Sequence, residues 1–228
     1  AQALATFAHE PVALVTACRR VVSRHLTAGG LWWLCSRMLC APDPLGEARA
    51  VVEAVEDDTS PRELAVALDP DATVAVLGWP SGVAEALRRR GSGDVLAIDA
   101  AGEAGALVRY LDAHGVDATE VPVDGTAAAV RTADVVVIEA GAASVDGLLA
   151  VSGSYAAAAV ARHVGTPVWA LVGVGRALPT RVWEALDEVV PLDVVDAVFG
   201  PDGRLAAGDL VSLVDCPIAP ELFKADIT

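Results

Sequence analysis

Aromatic residues are scarce in this sequence. They form 4% of its 228 residues, whereas apolar residues of all kinds form 54%. A chain of this length and apolar content can bury a sizeable core. With so few rings, that core must consist mainly of Val, Leu and Ala. The length allows one large domain, or one domain with a small additional unit.

The usual signatures of metal and nucleotide sites are also missing. The four cysteines form no C-x-x-C pair, and no histidine stands at ligand spacing from them. Neither G-x-G-x-x-G nor G-x-x-x-x-G-K-[ST] occurs. We therefore predict no metal and no resident cofactor. Unpaired cysteines on apolar helical faces are typical of a reducing compartment, so we predict a cytoplasmic protein.

Positive charge is scarce as well. The chain has 16 Lys and Arg against 31 Asp and Glu, for a net charge of −15. Such a surface repels a phosphate backbone, so direct nucleic-acid binding is disfavoured. The most apolar stretch, residues 135–161, carries Glu139 and Asp146, which argues against a membrane span.

The first 69 residues are predicted to be helical. Apolar residues recur there at helical spacing, and Pro44 stands where a proline can open a helix. Ser60 and Glu63 match a capping box. Helices are expected at residues 11–28, 31–40, 44–56 and 60–68.

From residue 70 onward, short β-rich runs alternate with helical runs. Val135–Ile138 is apolar throughout, which is typical of a strand buried on both faces of a parallel sheet. The alternation predicts right-handed crossovers and a doubly wound α/β sheet. Strands are expected at residues 73–77, 94–98, 118–122, 134–138 and 167–172, and helices at 82–90, 102–114, 125–132 and 154–164.

The loop after the first strand is a candidate ligand site, because ligands of an open parallel sheet bind beyond the carboxyl ends of its strands. Gly78, Trp79 and Ser81 lie there, just before a helix whose free amides favour an anion. The same residues also fit an ordinary turn with Ser81 as the helix cap. Trp79 fits either a packing role or stacking on a ligand ring.

Further candidates follow later strands. Ser152 and Ser154 precede an alanine-rich helix, where they can bind an anion or simply cap the helix. Arg176 ends a Gly-x-Gly-Arg loop, and its guanidinium can grip a phosphate as a fork or lie on the surface. Glu139 and Asp99 stand at strand ends, where a carboxylate can act as a general base.

Four segments, in order and without large gaps, carry a resemblance to a known family. They are Ala72–Leu87, Thr132–Gly147, Ser152–Leu171 and Val214–Thr228. They resemble segments of the initiation factor 2B alpha/beta/delta family, which includes methylthioribose-1-phosphate isomerase and ribose-1,5-bisphosphate isomerase. The resemblance identifies the chain as a divergent member. It implies a Rossmann-like, mostly parallel sheet domain at residues 70–228, a small helical domain at 1–69, and dimerisation through the sheet domain.

The resemblance also shows where this chain departs from the family's isomerases. Those enzymes use a Cys after the first strand, where this chain has Gly78. They use an Asp at the position of Gly141, and here Glu139 stands two residues earlier. Arg176 takes the place of a family lysine. The loops are retained without the acid/base pair that an aldose–ketose isomerisation needs.

Three functions are left open by these residues. The first is a regulatory, non-catalytic homodimer that binds a phosphorylated sugar or nucleotide through the loop residues. The second is a sugar-phosphate aldose–ketose isomerase with a rebuilt site, in which Glu139 or Asp99 is the base and Arg176 holds the phosphate. The third is a structural or protein-binding subunit. The ligand-binding residues expected in the first case are Gly78, Trp79, Ser81, Ser152, Ser154 and Arg176.

Overall fold

The computed structural model describes residues 1–180 and 189–223 of the chain. Helices alone precede the first strand. Pro11 and Pro44 each stand at the first position of a helix, where the missing N–H has no intrahelical partner to lose. These helices are α1 (Gln2–Ala5), α2 (Pro11–Arg24), α3 (Gly29–Cys40), α4 (Pro44–Glu56) and α5 (Ser60–Ala67).

Strands and helices then alternate. The strands are β1 (Val74–Leu77), β2 (Val95–Ile98), β3 (Ala118–Val121), β4 (Val135–Glu139), β5 (Ala142–Ser144), β6 (Gly147–Leu149), β7 (Val168–Leu171), β8 (Val189–Val190), β9 (Ala197–Gly200) and β10 (Gly203–Leu205). The intervening helices are α6 (Ser81–Arg90), α7 (Ala104–Asp112), α8 (Thr126–Thr132) and α9 (Ser154–Val164).

Seven of these strands form one sheet in the order β10-β9-β7-β4-β1-β2-β3. All neighbours are parallel except β10, which runs antiparallel to β9. From β1 the chain moves outward through β2 and β3, then returns to place β4 on the other side of β1. The crossovers therefore diverge between β1 and β4, which is where open α/β sheets form a ligand crevice.

Helices cover both faces of this sheet. Helices α8 and α9 pack on one face, and α5, α6 and α7 pack on the other. Along β4, Val135 and Val137 face the second group, while Val136 and Ile138 face the first. Because successive side chains of a strand point to opposite faces, a strand between two helical layers has to be apolar at every position.

The first four helices gather around Trp32 and Trp33 in a separate apolar cluster. This cluster meets the sheet through the small β5–β6–β8 sheet, and the Gly29 N–H donates to the Gly141 carbonyl across 2.8 Å. Leu64 of α5 instead belongs to the core under the main sheet. The division into domains at residue 69 stays a prediction.

The predicted α/β class and the mostly parallel sheet are confirmed, with strand bounds within one or two residues of those expected. Helix α1 and strands β5, β6, β8, β9 and β10 were not expected. They are two to four residues long, and the strands among them lie outside the regular alternation with helices that indicated β1 to β4 and β7. No helix among the described residues is both long enough and apolar enough to cross a membrane.

The capping box at Ser60 is wrong in detail. The Ser60 hydroxyl and N–H donate to Asp58 Oδ1 across 2.6 and 2.9 Å, so this side chain caps nothing in α5. The Glu63 N–H donates instead to the Thr59 carbonyl. The reason is position: α5 begins at Ser60 itself and Thr59 is its N-cap, so Ser60 lies one residue too late to cap the helix.

Candidate functional site

A cavity of about 250 Å³ lies at the carboxyl ends of β1 and β4, where the crossovers diverge. Four of the predicted site residues line it, namely Trp79, Glu139, Ser154 and Arg176. Its remaining wall comes from strand ends, the β5–β6 hairpin and the loop before α3. Those residues are Thr27, Leu77, Pro80, Glu103, Val137, Ile138, Gly141, Leu149, Ala150 and Val151.

The start of α6 is already occupied by a carboxylate of the chain itself. Glu139 Oε2 accepts from the N–H groups of Gly82 and Val83 across 2.7 and 3.0 Å. The Ser81 hydroxyl reaches Oε1 of the same side chain at 3.4 Å. A side chain on Gly82 would come within 3.3 Å of Glu139 Oε2, so this glycine allows the close approach. The amides predicted to favour an anion at this helix start are therefore bound by the chain's own Glu139 carboxylate.

Arg176 is the second partner of Glu139. Its Nη1 donates to Glu139 Oε1 across 2.6 Å and to the Ala140 carbonyl across 2.9 Å. The Glu139 side chain is 9% exposed and that of Arg176 is 29% exposed, so the pair is largely shielded from water. Nε and Nη2 of Arg176 have no hydrogen-bond partner within the described ranges. One edge of the guanidinium thus remains available to a ligand.

The glycines before Arg176 serve packing between the helices and the sheet. A Cβ on Gly175 would lie 2.1 Å from the Trp33 ring, and a Cβ on Gly173 would lie 2.6 Å from Asp58 Oδ2. That same Asp58 oxygen accepts from the Val174 N–H across 3.0 Å. The Val174 amide of this loop is therefore bound by a carboxylate from the helical part of the chain, as two amides of α6 are bound by Glu139.

The start of α9 differs from both of these loops. Ser154 is 1% exposed, and its Oγ has no hydrogen-bond partner in the part of the chain that the structure describes. It lines the cavity as the first residue of α9, next to Gly153 in the left-handed region at φ 95°. A buried hydroxyl without a partner is uncommon and costs stability. Ser152 is exposed and does not line the cavity.

Trp79 stands at the cavity rim with a partly free ring. It is 38% exposed, and its ring centroid lies 5.5 Å from that of Tyr110 in α7. The backbone N–H of Trp79 donates to Glu103 Oε2 across 3.2 Å. Both roles considered for this residue are therefore compatible with its position, because one side packs on Tyr110 while the ring also borders the cavity.

Besides Ser81 and Ser152, two more predicted residues lie away from the cavity wall. Gly78 turns the chain at φ 64° and donates its N–H to the Ile98 carbonyl. Asp99 accepts from the Ala104 N–H across 3.3 Å, at the start of α7. Neither lines the cavity. The sequence could place them only at the correct edge of the sheet, not at a particular point along it.

Gly141, the position of the family's acid, has no room for a side chain. A Cβ there would lie 2.8 Å from the Thr27 carbonyl oxygen. Thr27, Glu103 and the β5–β6 hairpin belong to the cavity but were missed by sequence reasoning. Thr27 belongs to no recognisable motif, so no signal in the sequence indicated it. It lines the cavity only because the loop before α3 packs against Gly141.

Neither a protein-family model nor a curated protein matches this chain. Solved structures do. The eIF2B beta of Chaetomium thermophilum is 20% identical at a TM-score of 0.72, covering 97% of this chain and 84% of that chain. The translation initiation factor eIF-2B of Pyrococcus horikoshii OT3 is 18% identical at 0.79, covering 90% and 88%. The tetrameric eIF2B-beta2-delta2 complex of C. thermophilum gives 21% at 0.75, covering 92% and 83%. The resemblance stated from the sequence is thereby confirmed as a likeness of fold.

Proposed function

We propose that this chain is a divergent, non-catalytic member of the initiation factor 2B alpha/beta/delta family that binds a phosphorylated sugar at the carboxyl edge of its sheet. The likeness of fold to eIF2B beta and to the archaeal eIF-2B supports the family. The ligand is argued from the cavity and its polar groups.

Loss of catalysis is supported by the positions that would carry acid/base chemistry. Gly78 is in the left-handed region, and Gly141 faces a carbonyl oxygen at 2.8 Å from its would-be Cβ. Both oxygens of Glu139 already accept hydrogen bonds from Arg176 and the α6 amides. Asp99 does not line the cavity. The isomerase alternative therefore finds no free base among the residues considered for it.

A ligand with a phosphate is supported by donor groups on two residues that are unpaired among the described residues. The Ser154 hydroxyl has no partner there at the start of α9, and helix starts favour anions. The Nε–Nη2 edge of Arg176 offers the planar fork that suits a phosphate. Both residues line the same cavity.

A sugar is favoured over a nucleotide by size. Pockets for drug-sized ligands measure roughly 300–1,000 Å³, whereas this cavity measures about 250 Å³. One sugar ring with a phosphate fits that scale better than a base, a ribose and phosphates together. The Trp79 ring at the rim offers an apolar face of the kind that packs against a sugar ring.

The unpartnered Ser154 hydroxyl carries this proposal, and calorimetric titration tests it. We expect ribose 5-phosphate to bind more tightly than ribose or AMP. Ser154→Ala should weaken that binding about tenfold, since a hydrogen bond to a charged group contributes about 1.5–3 kcal/mol. The exposed Ser152, which is two residues away and outside the cavity wall, supplies the matched control Ser152→Ala. Absence of binding by a panel of sugar phosphates to folded protein would contradict the proposal.

We also propose that the chain forms a homodimer. The eIF2B-beta2-delta2 complex, whose fold is similar, is a tetramer, and this supports the proposal that the present chain also assembles with other chains. Two apolar side chains are solvent-exposed in the single chain, Val145 in the β5–β6 turn at 51% and Tyr155 in the first turn of α9 at 44%. Sedimentation equilibrium tests this, and a monomer mass at all concentrations would count against it.

A further inference from the structure

We propose that Glu139 sets the ligand class of this cavity, because it occupies the place where a second anionic group would bind. The cavity then accepts a sugar with one phosphate and excludes a sugar with two. This inference rests on the proposed function. It assigns Glu139 a role in ligand specificity, whereas the sequence had suggested this residue only as a general base.

The donors around the Glu139 carboxylate are those that an anionic ligand would use. Two are first-turn amides of α6, at 2.7 and 3.0 Å from Oε2. A third is Nη1 of Arg176, at 2.6 Å from Oε1. Helix-start amides together with a guanidinium form a typical phosphate-binding set. In this chain the two amides and Nη1 of Arg176 are already bound to the Glu139 carboxylate in the absence of a ligand.

The position is also tightly enclosed. Glu139 is 9% exposed, and a Cβ on Gly82 would meet both Leu171 Cδ2 at 2.8 Å and Glu139 Oε2 at 3.3 Å. The α6 amides therefore cannot bind a phosphate while the carboxylate holds them. The carboxylate would have to leave, which would break its bonds to α6 and Arg176 together.

Charge leads to the same conclusion. Glu139 and Arg176 neutralise each other, and Glu103 adds a negative charge to the cavity wall. A phosphate held by Ser154 and by Nε and Nη2 of Arg176 would use donors other than those that bind Glu139. A second phosphate directed at α6 would meet a buried carboxylate, and like charges a few ångströms apart repel strongly in a shielded site.

The test uses inorganic phosphate as the probe and the full chain as the protein. Glu139→Ala empties the α6 position and leaves Arg176 without its carboxylate partner. We expect the affinity for inorganic phosphate to rise at least about tenfold over the unaltered protein. Phosphate should also raise the thermal midpoint of this variant, because it restores an anion to the vacated donors.

Glu103→Ala is the matched control. It removes the same unit charge from the same cavity wall, yet it leaves the α6 amides bound to Glu139. Because Glu103 is exposed and screened, we expect a gain in phosphate affinity of at most about threefold. Equal gains in the two variants would overturn the inference, since simple charge removal would then explain both.

A second variant covers the case in which Glu139→Ala does not fold. Glu139→Ser keeps a polar side chain at this strand end and also vacates the α6 amides, so it should gain phosphate affinity in the same direction. No gain by any folded Glu139 variant overturns the inference. If such a variant binds inorganic phosphate more tightly while the unaltered protein binds no sugar phosphate, the proposed function fails but the role of Glu139 stands. If the unaltered protein binds ribose 5-phosphate and no variant shows a higher affinity for inorganic phosphate, the proposed function stands and this inference fails.

Discussion

Replacing Ser154 by alanine should make the unliganded protein more stable, although the same change weakens ligand binding. The Ser154 hydroxyl is buried at 1% exposure and has no hydrogen-bond partner within the described residues. Folding removes its hydrogen bonds to water and returns none. Alanine has no such group to desolvate.

The matched comparison is Ser60→Ala, because Ser60 is also buried and is also the first residue of a helix. Its hydroxyl donates to Asp58 Oδ1 across 2.6 Å. Differences in helix propensity between Ser and Ala therefore cancel between the two variants. What remains is the difference between an unpartnered hydroxyl and one bound to a carboxylate.

The magnitudes follow from that difference. An unsatisfied buried polar group costs about 1–3 kcal/mol, so Ser154→Ala should raise the free energy of unfolding by about 1 kcal/mol. Ser60→Ala removes a hydrogen bond to a charged group and should lower it by about 1.5 kcal/mol. For a chain of this size, each kcal/mol moves the thermal midpoint by about 2–4 °C.

Urea denaturation followed by circular dichroism measures both variants, with thermal scans as a second probe. The slope against urea should not change, which would show that only stability has altered. If Ser154→Ala destabilises the protein as much as Ser60→Ala does, then the Ser154 hydroxyl has a partner in the unliganded state. The case for an open binding position at α9 would then be lost.

Other positions allow equally direct tests. Gly175→Ala should cost about 3 kcal/mol in unfolding free energy, because the new Cβ would lie 2.1 Å from the Trp33 ring at φ 72°. Gly165→Ala, at φ 83° with nothing within 4 Å, should cost only about 1 kcal/mol, and equal losses in urea titrations would argue against the Trp33 contact. Native labelling with a thiol reagent at pH 8 should modify Cys40 first, because Cys18, Cys35 and Cys216 are buried. Burial also raises the pKa of the Cys216 thiol to about 11, so that its thiolate is rare at this pH, and peptide mapping that finds Cys216 labelled first would contradict the packing described for it.

Much of the fold was readable from local patterns. Val74–Leu77 and Val135–Ile138 are apolar at every position, and such runs are stable as strands only between two covered faces. The β5–β6 hairpin was missed because each of its strands is only three residues long. Three residues are too few for the apolar and polar alternation that distinguishes a strand from a helix or a loop. That omission hid Leu149, which forms part of the cavity wall.

Sequence alone determined the layered α/β architecture and the edge of the sheet at which Trp79, Glu139, Ser154 and Arg176 would lie. Only the tertiary structure decided which of the three predicted anion positions is still open. Glu139 fills the start of α6 from 57 residues away, and Asp58 binds the Val174 amide from 116 residues away. The physical reason is that an amide's partner depends on distance in space, whereas periodicity and turn chemistry report only on neighbours along the chain.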